Sequence, residues 1–299
     1  MALRARGHVR RGDVDVAKAT HPAGIQDDLA SALQPYWNVR HTVRGLLEDI
    51  DFLLFDWLLR DQATRDVKGD LLEIGAFQGK SAIVIGPHAR DAEQFIVCDI
   101  FEDSTRDAAN DEENADSYRD LTRRSFEDNY RRFVPRPATI VQELSTNIRD
   151  HVPDGTVRFA HVDGGHMYDV IKADVESISH LLVEGGIVAF DDFRAQHTPG
   201  VAAAVWEAVA SAGLLPICVT DAKFYGTWSQ PTADETRARL HGWLAAHADV
   251  RTGEQSVHGH PLLLVANPRI WTRRRRVRAL LPPVVAERLM GRQEPYLGG

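Results

Sequence analysis

Cysteine is almost missing from this chain of 299 residues: there are two, Cys98 and Cys218, each inside a separate apolar run. That excludes a disulfide framework and a thiolate metal site, and both read as small buried residues. Long apolar runs are missing too, none approaching the roughly 20 residues a membrane span needs. The first residues, MALRARGHVRRGD, carry charge without the apolar segment of a signal peptide, so a cytoplasmic location is expected. There is no basic excess. With 35 Lys plus Arg against 43 Asp plus Glu, the net charge of -8 argues against a nucleic-acid backbone as partner. Internal repeats are absent as well.

The hydrophobic content of 43% suffices for a full core, and one α/β domain with appendages fits the length better than two complete domains. The most informative stretch is 157–193, VRFAHVDGGHMYDVIKADVESISHLLVEGGIVAFDDF. A short β-branched run, 157–162, stops at Asp163-Gly164-Gly165-His166, and a second, 186–190, stops at Asp191-Asp192. Between them Ile171, Val175, Ile178, Leu181 and Leu182 recur at helical spacing, with Gly185-Gly186 as an expected helix stop. A strand, helix, strand unit with continuous apolar strands implies parallel pairing and a right-handed crossover, which brings both strand C-termini to one sheet edge. Asp163, Asp191 and Asp192 should therefore converge where open α/β sheets bind ligands. Three carboxylates gathered there repel one another unless protons or a cation hold them, and a hard divalent ion suits oxygen ligands.

In chain order, 1–24 reads as a flexible arm and 25–67 as a helical segment, with helices over 25–33 and 43–59. The long amphipathic helix could cap a pocket or build a dimer face, although packing on the sheet is the commoner use of such a helix. Strand 71–74 follows and runs into Gly75-Ala76-Phe77-Gln78-Gly79-Lys80-Ser81 and a helix. Glycines 75 and 79 let backbone approach a ligand closely. The spacing misses G-x-G-x-x-G, since Phe77 and Lys80 stand where glycines are needed, and this disfavours a nicotinamide-linked oxidoreductase. Strand 95–98 ends in Asp99, where a carboxylate can accept both hydroxyls of a ribose. The acidic stretch 101–136 reads as an insertion, either a lid or a solvated excursion, with a helix through Phe126 and Tyr130. Strands at 139–141, 214–219 and 224–228 complete a count of seven. A helix over 201–212 precedes those last two strands. Another covers 232–247, and 261–265 is an accessory strand. The tail 267–299, with Arg273 to Arg276, could meet an anion but more simply pairs with acidic surface.

With the glycine loop, Asp99 and the strand-end aspartates in place, the chain resembles the class I S-adenosylmethionine (SAM) methyltransferases over about 43–228. D-G-G-H-x-Y at 163–168 and E-G-G-x-x-x-x-D-D-F at 184–193 resemble the branch of macrocin and mycinamicin sugar O-methyltransferases, with cephalosporin hydroxylase-like relatives more distant. The resemblance implies a Rossmann-like sheet of seven strands with helices on both faces, spanning 68–266. It implies that Glu73, Gly75 and Gly79 lie along the methionine part of SAM, with Ser81 in the same cofactor-binding set. Asp99 would hold the ribose and Ser145 would lie near the adenine. Asp163, Asp191 and Asp192 would bind magnesium, as in the similar catechol O-methyltransferase, where the last ligand is Asn.

The implied reaction is methyl transfer to a hydroxyl of a small acceptor, most plausibly a sugar of a natural product or glycolipid. Magnesium acidifies a bound hydroxyl less than zinc does, so a base remains useful, and His166, three residues past Asp163, is the candidate. His161, inside its strand, and Tyr168 read as packing. A metal-free methyltransferase, a hydroxylase-like relative and a non-catalytic SAM-binding subunit remain alternatives, and a homo-oligomer is compatible with all of them. An iron oxygenase fits poorly, since it usually wants two histidines and one carboxylate.

Overall fold

The computed structural model describes residues 24–103 and 122–267; the expected arm, most of the acidic insertion and the arginine-bearing tail lie outside them. Parallel β1 (Asp70–Ile74), β2 (Phe95–Cys98), β3 (Thr139–Val141), β4 (Val157–Val162) and β5 (Leu182–Phe190) are joined by β6 (Leu215–Val219) and β7 (Phe224–Thr227). A hairpin of β8 (Thr252–Val257) and β9 (His260–Val265) completes one sheet in the order β3-β2-β1-β4-β5-β7-β6-β9-β8. β7 runs antiparallel to β5 and β6, while β9 pairs with β6 in parallel. The sheet thus has nine strands among the described residues rather than seven plus one. β8, Thr-Gly-Glu-Gln-Ser-Val, escapes a hydrophobicity reading because it is a mostly exposed edge strand held by backbone pairing to β9.

Alternation along each strand divides the core into two layers. Leu71, Phe95, Val97, Phe159 and Ile187 face α2 (Asp49–Thr64), α3 (Ala82–Ile85) and α4 (Arg123–Arg131), whose Phe126 and Tyr130 are buried there. Leu72, Ile74, Ile96, Ala160, Val162 and Val188 face α5 (Tyr168–Leu181) and α6 (Pro199–Ser211). α7 (Gln230–Ala245) packs Leu240 and Leu244 into the first layer. Among the described residues no helix is long and apolar enough to cross a membrane.

Three boundaries differ from the sequence reading for identifiable reasons. The expected helix over 43–59 begins only at Asp49 and runs to Thr64, because Gly45 at φ +132° diverts 43–48 into a strap. In place of a helix over 25–33 there is a 3-10 turn, Ile25–Asp28, and then a short α1, Gln34–Val39, with Pro35 in its first turn. Gly185-Gly186 is no helix stop: α5 passes directly into β5 at Leu182, and Gly185 lies within that strand at φ +84°.

Candidate active site

A cavity of about 480 Å³ opens at the C-terminal ends of β1, β2, β4 and β5 and is bordered by the strap Arg44, Gly45, Leu46, Leu47 and Glu48. The sequence builds this edge through glycine. Gly75 takes φ +76° and Gly79 φ +88°, and a Cβ at Gly75 would stand 1.9 Å from the Asp163 carbonyl oxygen. Backbone hydrogen bonds continue past the strand ends, from Gly75 N to Cys98 O (2.8 Å), Asp163 N to Ile74 O (2.7 Å) and Asp191 N to Val162 O (2.9 Å). These bonds set Asp163 and Asp191 side by side. The strap is tied to the loop by Lys80 Nζ donating to Gly45 O at 2.8 Å.

Of the residues singled out from the sequence, Gly75, Ser81, Asp99, Ser145, Asp163, His166, Asp191 and Asp192 all line this cavity. Glu73 and Gly79 do not. Alternation turns Glu73 to the α2 face, where it is fully buried and its Oε1 meets His161 Nδ1 at 2.8 Å, and Phe126 covers Gly79. Asp99 accepts Ala76 N (2.7 Å) and Phe77 N (3.2 Å) at Oδ2 and Phe101 N (2.7 Å) at Oδ1. A carboxylate offers about four lone-pair sites, so Asp99 chiefly anchors the glycine loop and has about one site left for a ribose hydroxyl rather than two. Burial raises its pKa, against the pull of those backbone donors. Ser145 opens a 3-10 turn beside Asp174 of α5, whose carboxyl is fully buried and pushed up to about 7 by burial, with a smaller opposite pull from the Ser145 hydroxyl.

The carboxylate cluster has an inner and an outer half. Outside, Asp192, held at φ +53°, pairs its Oδ2 with His166 Nε2 at 3.0 Å. Inside, Asp191 Oδ1 accepts the Asp192 N-H at 2.8 Å, and its Oδ2 binds Lys223 Nζ and lies 3.6 Å from His161 Nε2. Burial would raise Asp191, but Lys223 and then His161 outweigh it and hold the carboxyl well below the usual range. Asp163 moves the opposite way, raised by burial and then by the neighbouring Asp191 charge. Burial alone would lower Lys223; Asp191, Asp163 and Asp51 around it keep it above its ordinary value.

Lys223 escaped the sequence reading. It follows the turn between β6 and β7, a position that reads as solvated, yet it is 1% exposed. Its backbone N-H donates to Thr220 Oγ1 at 2.9 Å, and its Nζ lies 5.8 Å from the Phe55 ring centroid. His161, expected to pack inside its strand, instead bridges Glu73 to the cluster. Ligand-capable atoms of Asp163, His166 and Asp192 lie within 4.8 Å of one another, as do those of His161, Asp163 and Asp191.

No curated protein matches the chain in sequence. Among solved structures, the O-methyltransferase NovP is similar at TM-score 0.49 and 19% identity, over 60% of this chain and 79% of that one. The calicheamicin methyltransferase CalS11 is similar at TM-score 0.45 and 19% identity, over 60% and 79%. The methyltransferase PaMTH1 of Podospora anserina, with bound SAH, is similar at TM-score 0.45 and 17% identity, over 69% and 92%. Residues 72–193 match the family model described as a methyltransferase domain, and they contain the glycine loop, Asp99, His166 and all three strand-end aspartates. The stretch that builds the site is thus similar to a methyltransferase domain over residues 72–193.

Proposed function

We propose that the protein transfers a methyl group from SAM to a hydroxyl of a small acceptor, with magnesium at the strand-end carboxylates. The acceptor is taken to be a sugar of a natural product or glycolipid, on the motifs 163–168 and 184–193. The observation that carries the reading is one cavity lined both by the Gly75 loop with Asp99 and by Asp163, His166 and Asp192. Its volume is that of a small-molecule site.

The donors suit a hard cation: carboxylate oxygens from Asp163 and Asp192 lie on the cavity wall, within reach of one another. Asp191 lines the same cavity, with its oxygens on the Asp192 N-H and on Lys223. Magnesium held there would lower the pKa of an acceptor hydroxyl, and SAM supplies an electrophilic methyl group. The chain's own part is positional. Asp99 fixes the glycine loop, the strap borders the cavity, and Asp192 orients the His166 imidazole through Nε2 so that the ring accepts the hydroxyl proton.

The test is calorimetric titration with S-adenosylhomocysteine (SAH), followed by methyl transfer from labelled SAM to a panel of sugar acceptors, with magnesium and with EDTA. SAH binding together with magnesium-stimulated transfer supports the reading. Failure to bind SAH ends it, and transfer unaffected by EDTA removes the magnesium.

A further inference from the structure

Lys223 is buried inside a cluster whose expected partner is a divalent cation, and its ammonium already binds Asp191 Oδ2. The other Asp191 oxygen accepts a backbone N-H. Each Asp191 oxygen therefore already has a protein partner, although Asp191 lines the cavity together with Asp163 and Asp192. Counting only the three strand-end aspartates, all ionised, and Lys223, the charge is -2 with the lysine and -3 without it, so Lys223 offsets one of the charges a cation would meet. The position is built rather than incidental, since the Thr220 hydroxyl accepts the Lys223 N-H, the Thr220 N-H donates to the Lys223 carbonyl, and the Thr220 and Tyr225 hydroxyls both donate to Asp51 Oδ1 at 2.8 Å.

We propose that Lys223 is a positioning residue: an internal counter-cation that holds Asp191 in place and sets the charge the site presents to a divalent ion. It rests on the reading above that a cation binds this cluster. Asp191 then acts chiefly through Lys223, and the ion is carried mainly by Asp163 and Asp192. A buried positive charge a few ångströms from a bound cation opposes it strongly, because screening inside a protein is weak.

The experiment is a Mn²⁺ titration of EDTA-stripped full-length protein, followed by electron paramagnetic resonance with SAH present. The proteins are wild type, Lys223→Met, Asp191→Asn and the double variant, with the fold of each checked by circular dichroism. Lys223→Met raises the cluster charge to -3 and is expected to bind Mn²⁺ at least tenfold more tightly. Asp191→Asn leaves -1 and should bind at least tenfold more weakly. The double variant returns to -2 without a buried unpaired charge, so it stays foldable if Lys223→Met does not, and should bind within about threefold of wild type.

A merely structural lysine predicts loss, never gain, of metal affinity. Unchanged or weaker binding by Lys223→Met, or a double variant as weak as Asp191→Asn, overturns the proposal, the latter by making Asp191 a direct ligand. No Mn²⁺ site in any of the proteins also overturns it. SAH binding measured on the same samples shows separately whether the methyltransferase reading stands.

Discussion

At the level of single residues, environment rather than residue type separates the acidic side chains of this site. Asp191 is ionised because Lys223 lies on it, and Asp163 is raised by burial and by that same neighbour's charge. His166 is held by Asp192, and replacing it with Gln should lower the transfer rate about 10² to 10⁴-fold, the usual worth of a positioned base. SAH affinity should stay within a few fold; a variant of wild-type rate would remove His166 from the chemistry. Asp174 gives a pH prediction. Its folded pKa of about 7 lies above the ordinary 3.8, so the folded state binds the extra proton and its contribution is complete below about pH 4. That contribution falls as pH rises through 7. Asp174→Asn lacks the ionising group, so its stability relative to wild type should rise from pH 4 to pH 8, by up to about 4 kcal/mol. Urea denaturation of both proteins at the two pH values measures this, and a pH-independent difference would refute it.

At the level of elements, the far end of the sheet is tied by charge where the near end is tied by glycine. Arg158 of β4 is fully buried, with Glu93 at 3.0 Å from both Nε and Nη2, Gln62 Oε1 at 3.0 Å and His88 O at 2.8 Å. It fastens the loop before β2 and the C-terminal turn of α2 to the middle of the sheet. Removing one partner strands a buried charge, so Arg158→Met should cost about 3 to 5 kcal/mol in chemical denaturation. A change below about 1 kcal/mol would show that Glu93, also paired with Arg90, does not depend on it. At the ligand edge the apolar period through Leu46 and Leu47 predicts helix for 43–48, where the structure has a strap. Leu46 is 90% exposed, and Gly45 packs over Phe77 and Lys80 instead of continuing a helix. Periodicity counts apolar residues without seeing what lies across from them.

For the whole molecule, the cavity draws walls from the strap, the glycine loop, the ends of β2, β4 and β5 and the turn between β6 and β7, so a bound ligand should hold the folded state together. A ligand at about one hundred times its dissociation constant adds about 2.7 kcal/mol. For a domain of this size SAH should therefore raise the melting temperature by about 5 °C or more in differential scanning fluorimetry. No shift at saturating SAH would deny the cavity that ligand.

Much of this was legible in the chain because it is local. The breaker clusters after 157–162 and 186–190, the glycines at 75 and 79 and the helical period from Ile171 to Leu181 each involve residues a few positions apart, and parallel strands then have one permitted handedness. From those alone the carboxylates had to meet at one edge. What the sequence could not decide lies in pairs far apart along it. Lys223 reaches Asp191 across 32 positions, His161 reaches Glu73 across 88, and β8 exists only because β9 offers it an edge. Which side of a strand a polar group faces, and which charge it meets there, depends on packing between elements, and no local period encodes that. The sequence by itself determined the glycine loop, the crossover and the acidic edge, through backbone sterics and strand pairing. Only the tertiary structure decided that Glu73 turns away from the cavity, that Asp99 anchors a loop, and that a buried lysine shares the aspartates, because burial and proximity set the energies of those groups.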